Sequence, residues 1–125
     1  MVISKEFALN FAKDWISSWN SHNIDRIIDH YSDSIDFTSP IIIEINNDPN
    51  GHISNKIDLK SYFEKALNKY EDLHFELLNV FVSVDSLVIY YKSIKNMMST
   101  EYFQFDQNGK IAKVKAHYSI IDVDA

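Results

Sequence analysis

Glu101 is the side chain of this sequence whose type and setting best suit chemistry. It lies in the alternating stretch Ser99-x-Glu101-x-Phe103-x-Phe105, which in a β-strand puts these four residues on one face. No lysine or arginine is spaced to pair with it there. A carboxyl group buried without a cation favours its neutral form, which raises its pKa. Such an acid donates a hydrogen bond when neutral and takes a proton when ionised, the two halves of general acid–base catalysis. Val114, Ala116 and Tyr118 share a second strand face, opposite Lys113, Lys115 and His117. Trp15, Phe37, Ser39 and Phe63 would complete an apolar lining. Two readings of Trp15, Phe37 and Phe63 stay open: they line a cavity, or they are plain core in a filled interior.

Other chemistries find little support. With no cysteine there is no disulfide, thiol nucleophile or cysteine metal site. The five histidines show neither His-x-His nor HExxH spacing, so no metal site is expected. His22 and His30 are expected to be exposed near helix ends. Two glycines cannot build a phosphate loop, there is no G-x-S-x-G, and no cofactor is expected. A net charge of −6 disfavours nucleic acid as a partner. The longest aliphatic run, Ile41-Ile42-Ile43, is far too short to span a bilayer. Residues 1–6 show no apolar signal core behind a basic start, so a cytoplasmic location is expected.

The elements that must position these residues follow from periodicity. Ala8, Phe11, Ala12, Trp15, Ile16 and Trp19 recur at helical spacing behind the candidate cap Ser4. Ile24, Ile27, Ile28 and Tyr31 repeat the pattern behind Asn23. A third helix carries Leu59, Tyr62, Phe63, Ala66, Leu67 and Tyr70. Between the second and third helices, residues 35–39 read as a short strand stopped by Pro40. Residues 40–45 fit either a strand extension or a covering loop. From His74 the pattern changes to strands at 75–83, 87–94, 97–105 and 111–121, separated by turn residues. Scarce glycine and proline leave no linker, so residues 1–125 are read as one α+β domain with an antiparallel sheet.

Several segments then resemble one family. They are Trp19-Asn20-x-x-Asn23-Ile24-Asp25, His30-Tyr31-Ser32-Asp33, Phe37-Thr38-Ser39-Pro40, Gly51-x-Ile53, Leu59-x-x-Tyr62-Phe63 and Phe103-Gln104-Phe105-Asp106-x-x-Gly109-Lys110-Ile111. In this order and spacing they resemble SnoaL-like, ketosteroid-isomerase-like proteins of the nuclear-transport-factor-two-like superfamily, from about Phe7 to Tyr118. The resemblance implies a cone-shaped curved sheet around three N-terminal helices, in the order α-α-β-α-β-β-β-β. It implies an apolar pocket at the open end and homodimers through the outer sheet face.

The resemblance also locates catalytic roles, and this sequence departs from most of them. Ketosteroid isomerases pair an Asp base with a Tyr and a protonated Asp. The base position here is Ser39, the Tyr position is Trp15, and the protonated acid is matched by Glu101. The acid–base Asp of the cyclases falls near Ala116. An epoxide-hydrolase Asp-Arg-Asp set fails because the lone arginine is Arg26. The expected function is a pocket binding a small apolar or aromatic molecule, with Glu101 as acid–base in an isomerase or lyase. Its expected ligand-binding residues are Trp15, Phe37, Ser39, Phe63, Phe103, Val114, Ala116 and Tyr118. The alternative is a non-catalytic dimeric domain for ligand sensing or protein interaction.

Overall fold

The computed structural model describes residues 1–121. Helix α1 (Lys5–Asn20) starts where Ser4 Oγ accepts the Phe7 amide, and α2 (Ile24–Ile28) is one turn capped by Asn23. Strand β1 (Tyr31–Thr38) leads into α3 (Pro40–Asn46), then β2 (His52–Ile53) and α4 (Lys56–Lys69). Four long strands complete the chain: β3 (Glu76–Val82), β4 (Ser86–Lys92), β5 (Met98–Phe105) and β6 (Ile111–Tyr118). No helix among the described residues is long and apolar enough to cross a membrane.

The six strands form one curved, unclosed sheet in the order β2-β1-β6-β5-β4-β3. The α+β architecture therefore stands, with two refinements. The sheet is not wholly antiparallel, because β1 pairs with β6 in parallel. Among the described residues there are four α-helices rather than three, because residues 40–46 form α3, neither a strand extension nor a loop. Its start has a physical signature: Ser39 Oγ accepts the Ile41 amide as N-cap, and Pro40 fills the first helical position. Tyr31 also changes element. It opens β1 instead of closing the second helix, because it pairs with Ile111 at the start of β6.

Register shifts place extra residues in β1, β3 and β6, the bulges that bend such a sheet. The β4–β5 connection turns through Lys95 and Asn96, both left-handed, as hairpin turns with a right-handed strand twist require. On the concave face, α1 presents Phe7, Phe11, Trp15 and Trp19 as a ladder four residues apart. Their rings meet Phe105 at 5.2 and 4.9 Å, Tyr91 at 5.2 Å and Phe63 at 4.7 Å in edge-on pairs. Each such pair contributes about 0.5–1.5 kcal/mol beyond the area it buries. Asn20 fastens the end of α1 to the chain entering β3: its amide donates to the Phe75 carbonyl at 2.9 Å, and its carbonyl accepts the Phe75 amide at 2.6 Å.

Gly51 closes the turn between α3 and β2, where its carbonyl accepts the Ser39 amide at 2.9 Å. Its φ is +59°, and a Cβ there would lie 2.8 Å from the Ser39 carbonyl oxygen. Gly51→Ala should therefore destabilise the protein by about 1–3 kcal/mol, from strain that backbone cannot relieve cheaply. A chemical-denaturation midpoint unchanged from the parent would show that the turn relaxes freely.

Candidate functional site

The concave face encloses a narrow cavity in which the centre of a water-sized sphere can move through about 50 Å³. Since one water needs about 10–15 Å³ on that measure, the space holds only a small ligand. Sheet residues Tyr91, Glu101, Ala116 and Tyr118 form one side, and Trp15, Trp19, Tyr62 and Phe63 from the helices form the other. Tyr70, Leu73, Ser93 and Ile94 line both the cavity and an open surface groove, so they mark its mouth.

Glu101 lies midway along β5, directly between Ile89 of β4 and Ala116 of β6. It is only 3% exposed. Its Oε1 accepts the Tyr91 hydroxyl proton at 2.7 Å, and among the described residues nothing hydrogen-bonds Oε2. Burial pushes its pKa up from 4.5 to about 7, partly opposed by the hydrogen bond from Tyr91. No cation contributes. The hydroxyls of Tyr31, Tyr62, Tyr91 and Tyr118 are all held above the ordinary tyrosine range, first by burial and then, among other causes, by the Glu101 charge. These phenols therefore serve as neutral hydrogen-bonding groups, while Glu101 is the group set to exchange a proton near neutral pH.

The sequence-based site residues divide in two. Trp15, Phe37, Ser39, Phe63, Ala116 and Tyr118 line the cavity with Glu101. Phe103 and Val114 do not: both are fully buried core. They share faces with Glu101 and Ala116 but lie farther along their strands, where Phe103 packs against Phe11 and Trp15. Trp15 borders the cavity without being free to bind through its indole, because Nε1 donates to the Tyr31 hydroxyl at 3.0 Å. Ser39 is engaged differently: its Oγ accepts as the cap of α3, a bond that does not use its O–H. Tyr91, Tyr62 and Trp19 are lining residues that the sequence did not single out.

Outside the cavity, His22 and His30 are not the exposed residues expected. His22 Nε2 lies 2.7 Å from the Leu73 carbonyl, and His30 is mostly buried with Nε2 2.8 Å from Asp14. Among the described residues no three His, Asp or Glu side chains converge as a metal site would require.

Comparisons with known proteins agree with this fold. A profile described as the SnoaL-like domain matches residues 12–114. A SnoaL-like protein of unknown function from Burkholderia thailandensis is 35% identical, with a TM-score of 0.91, over 95% of this chain and 99% of that one. An NTF2-like protein of unknown function from Cytophaga hutchinsonii shares the fold at 12% identity and TM-score 0.68, over 95% of this chain and 92% of that one. A protein of unknown function with a cystatin-like fold from Methylobium petroleophilum does so at 11% identity and TM-score 0.73, over 99% and 83%. No curated protein matches the sequence. With a profile match across most of its length and a relative alike over nearly all of it, the chain belongs to the SnoaL-like domain family.

Proposed function

We propose that this protein binds a small apolar or aromatic molecule in the concave cavity and that Glu101 moves a proton on it, as an isomerase or lyase would require. The observation that carries this reading is the buried, cation-free Glu101 carboxyl with a raised pKa, open to an aromatic-walled space. Ketosteroid isomerisation is not the proposed reaction. Ser39 supplies no carboxylate base, and four fused rings exceed the available space. The test is proton exchange into deuterated water from small carbonyl and aromatic compounds, followed by NMR. The parent should exchange a bound compound, and Glu101→Gln should still bind it while exchanging about 10²–10⁴-fold more slowly. Equal exchange by both proteins would remove Glu101 from the chemistry.

A non-catalytic ligand-binding domain is the second reading, favoured by Ser39, whose hydroxyl caps a helix at the position of the family's base. Binding without turnover would support it. The Ile41–Ile45 segment favours protein interaction less than its composition suggests, since Ile41 and Ile42 are buried and Ile43 is the exposed member of the aliphatic run. We propose a homodimer through the outer sheet face, where Val88, Thr100, Tyr102, Lys113, Lys115 and His117 line a shallow groove. Sedimentation giving only monomer at micromolar concentration would refute it. The lack of cysteine fits a reducing cytoplasm, where we place the protein.

A further inference from the structure

The lining of the cavity has a chemical asymmetry. Its one ionisable acid, Glu101, has a single hydrogen bond, and the walls around it are aromatic: Trp15, Trp19, Phe75 and Tyr91 among them. Among the described residues no lysine, arginine or histidine lines the space to balance a carboxylate. Tyr91, the nearest hydroxyl donor, already directs its proton to Glu101 Oε1. Trp15, a potential N–H donor, directs its own to Tyr31. A ligand oxygen would find donors in the Trp19 indole N–H, which has no hydrogen-bond partner, and in the Tyr62 and Tyr118 hydroxyls, but it would also meet π-electron density and a carboxyl group that no lining cation balances. A positively charged nitrogen would be attracted by both.

We propose that the ligand of this cavity is a small protonated amine, held by an N–H donated to Glu101 Oε2 and by the surrounding aromatic rings. The assignment rests on the reading of the cavity as a ligand site and places a charged nitrogen on a ligand whose remaining body is small and apolar. It also supplies the missing partner, since an ammonium group is the counter-ion that would let Glu101 ionise while buried. The net charge of −6 draws cations toward the protein. At the mouth, Lys69 and Lys95 lie over the Tyr70 ring, but both pair with Glu44, at 2.7 and 3.7 Å, which offsets their repulsion.

The groups facing Glu101 from β1, α4, β4 and β6 are the hydroxyls of Tyr31, Tyr62, Tyr91 and Tyr118. All are pushed above the ordinary tyrosine range, so Glu101 alone titrates inside the cavity between pH 5 and 8. Trimethylammonium, the neutral tert-butanol of similar bulk and the carbonyl compound butanone are titrated into ¹⁵N-labelled protein, and the Trp15 and Trp19 indole N–H resonances report on occupancy. Trimethylammonium should bind with an affinity that rises about tenfold per pH unit from 5 toward 7, because only the ionised acid is competent. Glu101→Gln should weaken it by about 30-fold or more, from loss of a buried charge partner. Trimethylammonium binding that ignores pH or survives Glu101→Gln would overturn the assignment. Butanone binding that falls as pH rises would also overturn it while leaving the cavity as a ligand site. If none of the three probes moves the indole resonances at millimolar concentration, both the amine and the ligand site are lost.

Discussion

Glu101→Gln should make the protein more stable than its parent above neutral pH, by about 3 kcal/mol at pH 8. The folded state holds this carboxyl at about 7, against 4.5 for a solvated glutamate. An acid whose folded pKa is raised prefers to ionise in the unfolded chain. Its contribution to stability is fully present below about 4.5 and is lost as pH rises through about 7. At about 1.36 kcal/mol for each pH unit, the gap corresponds to roughly 3 kcal/mol lost between pH 4.5 and 7. Glutamine cannot ionise, and its side-chain carbonyl still accepts the Tyr91 hydroxyl, so the loss should vanish with the fold intact. Urea unfolding of both proteins at pH 4.5 and pH 8 checks this. Parallel stability profiles would mean that Glu101 is an ordinary solvated carboxylate.

Trp15→Ala should cost about 3–5 kcal/mol, the loss typical of truncating a buried indole. Trp15 is 1% exposed and packs against Phe75, Tyr91 and Phe103 at centroid distances of 5.7, 5.2 and 5.3 Å. A loss that large approaches the whole stability of many domains of this size, so Trp15→Phe gives a milder test. It keeps a ring but removes the N–H that Tyr31 accepts, leaving a buried hydroxyl short of a partner at a cost of about 1–3 kcal/mol. Phe81→Ala, at a ring 54% exposed on β3, is the control and should change stability by less than about 0.5 kcal/mol. If Trp15→Phe matches that control, the indole hydrogen bond contributes nothing and Trp15 acts only through packing.

The long strands were legible because alternation and turn residues agreed. Asp106 shows why: its carboxylate accepts the Asn108 and Lys110 amides, and Gly109 takes the positive φ that the tight turn requires. Glu101 was legible by the same alternation. Tyr91 was not, because β4 reads Leu87-Val88-Ile89-Tyr90-Tyr91, apolar or aromatic at every position, so the sequence does not say which tyrosine faces inward. The register does: Tyr91 stands opposite Ser99, one step along the face from Glu101. The parallel β1–β6 pairing was hidden because it joins segments about eighty residues apart, with every other strand between them in sequence. The start of α3 was available in Ser39-Pro40, which fits a helix cap and first turn as well as a strand end. Phe103 and Val114 were misplaced because a shared face says nothing about depth, and depth decides whether a residue meets the cavity or the packed rings of α1.

The ionisation of one buried carboxyl underlies both the proposed chemistry and the proposed ligand, and NMR can observe it directly. Carbon-detected titration of the Glu101 side-chain carboxyl in the ligand-free protein should give a midpoint near 7, well above the 4.5 of a solvated glutamate, and the Tyr91 ring resonances should shift at the same pH. A Glu101 midpoint near 4.5, with Tyr91 unmoved, would contradict the account.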